Sequence, residues 1–216
     1  MLDSLGVRTS GELTESSPAA RPAPRARPLA HPWQIKWIDM ERTCEGIQQL
    51  ADAAHGFCKA WMSQTPTGFR VIVSDVGRGK THVSRRIANW ARLAAYSRWA
   101  RNKVGGELPR VAVAVGRLLS PDDTSDSDWK LDLEDMSAAS MVILDDIGSE
   151  TDRFKTLIPA SRLCQLLNRV EGKYVWITTN KLPKAWVTTW DKRVEDRLLS
   201  GDVIQIKAPS YRSERE

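Results

Sequence analysis

The sequence predicts an α/β fold, a three-layer sandwich around a five-stranded parallel sheet. One observation is alternation. Short apolar runs near residues 70–74, 110–115, 141–145, 174–178 and 202–206 alternate with longer segments of helical period. That order builds parallel strands joined by right-handed helical crossovers. The other is a junction: the first apolar run passes straight into a glycine-bearing turn, SDVGRGKT, which ends where a helix begins.

The junction reads FRVIVSDVGRGKTH over residues 69–82. Phe69, Val71, Ile72 and Val73 are nearly continuous β-branched or aromatic residues, as in a strand covered on both faces. The turn is close to the phosphate-loop pattern G-x-x-x-x-G-K-[ST]. Ser74, Asp75, Val76, Gly77, Arg78, Gly79, Lys80, Thr81 and His82 are therefore the candidate nucleotide-binding residues. Gly79 lets the backbone approach a phosphate while neighbouring N–H groups form an anion nest. Lys80 supplies a cation for the β and γ phosphates, and Thr81 a hydroxyl ligand for Mg2+. The helix starting there turns its positive end toward the same phosphates. Ser74 stands where the pattern has its first glycine, with Gly77 available to take up backbone strain. An ordinary strand–turn–helix joint is the competing reading, so the decision rests on partners elsewhere.

The chain has 216 residues, enough for one sizeable core and a tail. The net charge of +5 and isoelectric point of about 9.2 permit nucleic-acid binding without demanding it. Cys44, Cys58 and Cys164 are odd in number and widely spaced, which argues against a disulfide framework or zinc knuckle and for a reducing compartment. No apolar run approaches the roughly 20 residues that span a bilayer, and the N-terminus lacks the layout of a signal peptide. A soluble cytoplasmic protein with no membrane partner is expected. The nine tryptophans are scattered and read as packing residues.

Residues 1–30 are an expected disordered tail. Pro18, Pro22, Pro24 and Pro28 alternate with Ala and Arg, and no apolar period runs through the segment. Arg21, Arg25 and Arg27 either touch nucleic acid or a partner, or belong to a solvated linker. The folded domain is expected over 31–216, beginning near Pro32–Trp33. Helical spacing covers 43–62 through Ile47, Leu50, Ala51, Ala54, Phe57, Cys58 and Trp61. A second helix runs from Thr81 to about Asn102 on a stripe of Val83, Ile87, Trp90, Ala91 and Ala94. Arg85, Arg92 and Lys103 fall on roughly the opposite side, a basic face that either follows a nucleic-acid backbone or is simply solvated. Residues 121–128, PDDTSDSD, read as an acidic loop. Residues 154–170 have helical period, with Pro159 either kinking the helix or marking its start. Residues 191–200, DKRVEDRLLS, form a short helix with Arg193 and Arg197 one turn apart.

The chemistry-bearing strand is SMVILDDIGSE, residues 140–150. Ligands of open α/β sheets bind at the C-terminal ends of strands, and two aspartates stand there. Asp145 fits a carboxylate holding Mg2+, and Asp146 a base that orients the attacking water. Such a strand end is weak evidence alone. It is much stronger about 65 residues after a phosphate loop with another strand between. YVWITTN, residues 174–180, ends in Thr-Thr-Asn. Asn180 either orients water between the γ-phosphate and the carboxylates or is a strand-ending turn residue.

The series SDVGRGKTH, VILDDIGSE, WITTN, RVEDRLLSG and PSYR, over about residues 33–212, resembles the AAA+ ATPases. More narrowly it resembles the DnaC-like helicase loaders and the IstB-like transposition ATPases, with RVEDRL closer to the loader branch. The resemblance implies ATP and Mg2+ as ligands. It implies Lys80 and Thr81 as the Walker A lysine and metal-binding threonine, Asp145 as Walker B, Asp146 as the neighbouring acidic position and Asn180 as sensor 1. It implies that Arg197 is an arginine finger completing the site of the next subunit in a homo-oligomer, with Arg193 a second basic contact. It also implies a first strand lying between the fifth and fourth. The chain departs from the family at Ser74, in the shorter Asp146, and in ending soon after the fifth strand. No C-terminal lid domain with a sensor 2 arginine is therefore expected, and the usual N-terminal helicase-binding domain has no counterpart beyond the tail and the helix at 43–62.

The function implied is an ATP-hydrolysing loader that binds single-stranded DNA and helps load a replicative DNA helicase. Two alternatives stand beside it. One is a transposition regulator that coats or bends duplex DNA and recruits a transposase. The other is a nucleotide-dependent adaptor with little turnover, for which Ser74 and Asp146 speak.

Overall fold

A computed structural model of the chain describes residues 45–65, 68–102, 109–150, 152–153 and 155–208. The tail at 1–30, the expected domain start at Pro32–Trp33, Lys103 and the PSYR segment lie outside these residues.

The apolar runs become strands β1 (Phe69–Val73), β2 (Val111–Val115), β3 (Met141–Ile147), β4 (Tyr174–Thr179) and β5 (Asp202–Gln205). All neighbouring pairs are parallel, in the order β2-β3-β4-β1-β5. The phosphate-loop strand thus lies between the fifth and fourth strands, as expected.

Successive side chains along a strand point to opposite faces of the sheet. Val71, Val73, Val142, Leu144, Val175 and Ile177 join one core with α3 (Asp126–Ala138), α4 (Ile158–Arg169), α5 (Trp186–Thr189) and α6 (Lys192–Leu199). Ile72, Met141, Ile143 and Trp176 join the other, against α1 (Glu45–Met62) and α2 (Lys80–Asn102). Both faces of β1, β3 and β4 are covered, which is why their apolar residues run nearly unbroken, while the edge strands β2 and β5 are partly exposed. Phe57 of α1 packs on Trp176 with ring centroids 5.4 Å apart, and Trp61 meets Trp90 edge-on at 5.8 Å, joining α1 to α2. Most described tryptophans are core residues; Trp99 is not.

Several local details differ from the sequence reading. The acidic segment 121–128 is a loop only as far as Ser125. The Ser125 side chain accepts the Asp128 N–H and caps α3, whose first turn holds Asp126 and Asp128, where the helix dipole favours acids. Arg162 is buried in α4 and ties it to this cap, donating to the Ser120 and Thr124 carbonyls and to Asp126 at 2.7 Å. α4 begins at Ile158 with Pro159 in its first turn, so the proline marks the start and makes no kink. β2 starts at Val111 rather than at residue 110, β3 continues to Ile147, and β5 ends at Gln205. Residues 183–189 form a 3-10 turn and α5, short elements without a readable period.

Among the described residues no lid follows β5, and no helix is long and apolar enough to cross a membrane. Cys58 and Cys164 are free and buried, and burial pushes the Cys58 thiol far above its ordinary range.

Candidate functional site

Strands β3, β4 and β1 are neighbours and parallel, so their C-terminal ends open on one edge of the sheet. The Ser74 N–H donates to the Thr179 carbonyl at 3.2 Å, fastening the start of the loop to the end of β4. Gly77 (φ 81°) and Gly79 (φ 84°) are left-handed, a conformation that a side chain disfavours. α2 then starts at Lys80.

Lys80 folds back into the loop and is only 6% exposed. Its Nζ donates to the Ser74 carbonyl at 2.6 Å, to the Asp75 carbonyl at 2.9 Å and to Ser74 Oγ at 3.2 Å. The serine in place of the first glycine therefore contributes an extra acceptor. Burial lowers the pKa of the ammonium, while the charges of Asp146, Asp145 and Asp75 act to raise it. Asp75, Val76, Thr81 and His82 line the exposed rim. Arg78 lies 3.7 Å from Asp75, with its Nη1 buried and unpartnered.

Asp145 is buried, and its Oδ1 accepts the Thr178 hydroxyl at 2.8 Å. The same Thr178 oxygen accepts the Asp146 N–H at 2.8 Å. The β3–β4 register shifts between Leu144 and Ile147, and within this irregularity Asp146 takes φ 57°. A non-glycine residue in that region costs on the order of 1 kcal/mol. The Thr178 bond, together with a Ser149 hydroxyl that donates to the Asp146 carbonyl at 2.7 Å, holds it there. Gly116 closes the same corner, since a Cβ at that position would meet the Asp146 carbonyl oxygen at 2.2 Å.

Asn180 follows β4 immediately, and its Oδ1 is buried without a hydrogen-bond partner. Such an atom normally has one. β4 lies between β1 and β3, so Asn180 emerges between the phosphate loop and the two aspartates.

Arg197 and Arg193 are not part of this cluster. Arg197 pairs with Glu171 at 2.7 Å, three residues before β4 begins at Tyr174. It therefore sits by the edge where strands start, opposite the phosphate loop. Arg193 pairs with Asp191 at 2.8 Å, the residue that caps α6. Spacing alone places these arginines on one helical face, but their carboxylate partners draw them to opposite ends of the helix.

Among the described residues no cluster of three or more His, Cys, Asp or Glu stands ready to cage a metal ion. A Mg2+ shared with phosphates needs only one or two protein ligands. The second oxygen of Asp145 and the Thr81 hydroxyl are the groups that would supply such ligands. The left-handed glycines and the buried lysine likewise fit a nucleotide polyphosphate, and the unpartnered Asn180 oxygen, an acceptor, fits a water beside it.

The sequence reading missed Thr178. The available signal was a hydroxyl inside an otherwise apolar strand, but its partners come from another strand. We expect Thr178→Val, which keeps the shape and β preference, to leave the Asp146 N–H unsatisfied. The expected loss of stability is about 1–3 kcal/mol, read from urea denaturation, while Thr178→Ser retains most of it. An unchanged midpoint for the valine variant would show that these bonds contribute nothing.

No family model matches the sequence, and a search of curated proteins finds no match. Similarity appears among solved structures. Domain III of the Thermotoga maritima replication initiation protein DnaA is 18% identical with a TM-score of 0.54, over 76% of this chain and 65% of that one. A replication initiator DnaA bound to AMPPCP and single-stranded DNA is 16% identical with a TM-score of 0.51, over 72% of this chain and 46% of that one. DnaI is 18% identical with a TM-score of 0.55, over 78% of this chain and 89% of that one. The chain thus spans 46–65% of these DnaA structures and most of DnaI. The fold is the α/β layout of the AAA+ P-loop domains of DnaA and DnaI.

Proposed function

We propose that this chain is an AAA+ ATPase that helps load a replicative DNA helicase, holding single-stranded DNA as it does so. The observation that carries the ATPase reading is the meeting of Lys80, Asp145, Asp146 and the unpartnered Asn180 oxygen at three adjacent strand ends. The loader reading draws support from the motif order and from the fold shared with DnaI along most of its length. The DnaA structure that holds AMPPCP and single-stranded DNA supports the choice of ligands.

The residues divide the work as follows. Lys80 is held by carbonyls and a hydroxyl rather than by a carboxylate, so it can turn to phosphate oxygens without breaking an ion pair. The loop N–H groups and the start of α2 add to the positive field. Asp145 and Thr81 would hold Mg2+, which when bound offsets charge on the phosphates. Asp146 and Asn180 orient a water for attack. Catalysis of this kind is mostly positioning and charge stabilisation. Arg197 acts on the nucleotide of a neighbouring subunit.

The adaptor reading keeps one specific observation in its favour, the three-acceptor grip on Lys80 that Ser74 completes. The deciding experiment is a pull-down of the cognate replicative helicase with and without ATP. We expect ATP-dependent capture, and turnover that changes when single-stranded DNA is added. A protein that binds duplex better than single strands and ignores the helicase would be a transposition regulator. Helicase capture without turnover would make it an adaptor.

A further inference from the structure

The outer face of α2 is not an ordinary solvated surface. The 23 residues of this helix include no Asp or Glu. Arg85, Asn89, Arg92, Tyr96 and Trp99 recur at intervals of four and three, a single stripe on an α-helix, and all are exposed. Tyr96 and Trp99 are 44% and 45% exposed, with ring centroids 6.0 Å apart and planes tilted by 37°. Leu93 flanks them, exposed. Arg98, off the stripe, turns inward and donates to the Met62 carbonyl at 2.7 Å, whereas Arg85 and Arg92 have no ion pair among the described residues.

A helix face that only meets water mixes acids with bases and keeps large aromatics to a minimum. This one sets cations and two aromatic rings along roughly 21 Å, at ~1.5 Å per residue. Cations spaced along a line suit a polyanion. Exposed rings among them suit one whose bases are unstacked, because a duplex hides its base faces within the helix. We propose that this face of α2 is the track for single-stranded DNA, with Arg85 and Arg92 on phosphates and Tyr96 and Trp99 stacking on bases. The assignment rests on the reading that the chain binds single strands, and adds where and by which residues.

The test is fluorescence anisotropy of a labelled oligo-dT with the full chain across a salt series. Tyr96→Ala/Trp99→Ala should weaken binding roughly tenfold or more, while Tyr96→Phe/Trp99→Phe keeps most of it. Arg85→Gln/Arg92→Gln should weaken binding and flatten the log–log salt slope by about 1.4, about 0.7 for each phosphate contact. Arg169→Gln, an exposed arginine on α4, should change little. Wild-type binding that neither double variant weakens would overturn the track while leaving single-strand binding intact. No binding by the wild type at low salt would remove both. A change in sedimentation mass of the aromatic variant with oligo-dT affinity unaltered would assign the stripe to a second copy of the chain and overturn the proposal.

Discussion

Lys80→Ala is expected to lose ATP binding while keeping its fold. Nζ is the buried cation of the loop, and its acceptors are the Ser74 and Asp75 carbonyls and the Ser74 hydroxyl. Hydrogen bonds to charged groups are worth about 1.5–3 kcal/mol each. Losing two to a polyphosphate would weaken ATP by roughly 10²–10⁴. The fold should survive, because the core strand residues Val71, Ile72 and Val73 are fully buried without any help from Lys80. Lys80→Met, which preserves much of the side chain's bulk, controls for packing. The measurement is titration with a fluorescent ATP analogue beside a thermal melt. Unchanged affinity in a folded variant would sink the phosphate-loop assignment, and with it the ATPase.

Arg197→Ala should bind ATP normally and hydrolyse it poorly, by roughly 10³–10⁵ if it behaves as arginine fingers do in other phosphoryl-transfer systems. The structure sharpens the competing explanation. The ion-pair partner of Arg197 is Glu171 at 2.7 Å, not Glu195 or Asp191 on its own segment. Both side chains are substantially exposed, 37% and 64%, and such a pair contributes only ~0–1 kcal/mol. Arg197 also lies beside the start of β4, whereas Lys80 lies beyond the strand ends. The intervening strand spans roughly 17 Å at ~3.3 Å per residue, so Arg197 cannot serve its own loop. Any role in hydrolysis is therefore a role in trans.

Mixing tests this directly. A Lys80→Ala subunit keeps its Arg197 and can lend it to ATP held by an Arg197→Ala subunit, so the mixture should recover activity that neither variant has alone. Glu171→Gln breaks the ion pair without removing the arginine, and should hydrolyse at close to the wild-type rate. Normal hydrolysis by Arg197→Ala would reduce the residue to a surface partner of Glu171.

What could be read from the chain alone was whatever local pattern encodes. Unbroken apolar runs such as Val71–Val73 and Met141–Leu144 announce strands covered on both faces, because in a buried parallel sheet neither alternate set of side chains meets water. Gly77 and Gly79 announce a tight left-handed turn into a helix, because that backbone disfavours any side chain. The place of β1 between β5 and β4 came instead from the resemblance to the AAA+ ATPases, since no local pattern encodes it.

Properties shared between segments distant in sequence were not legible. Asp126 and Asp128 look like loop residues until Ser125 is seen capping the helix they begin and Arg162 is found packed against it from α4. Thr178 looks like a β-propensity choice until the shifted β3–β4 register sets its hydroxyl between Asp145 and the Asp146 amide. Arg193 and Arg197 look like one basic face until Asp191 and Glu171 divide them. The aromatic stripe on α2 looked like scattered packing residues until exposure separated Tyr96 and Trp99 from the buried tryptophans. Ser125 and Asp191 are local caps within reach of a sequence reading, but Arg162, the β3–β4 register, Glu171 and solvent lie outside the segments they decide. Which of these a side chain meets depends on how the sheet and helices pack, which no local spacing contains.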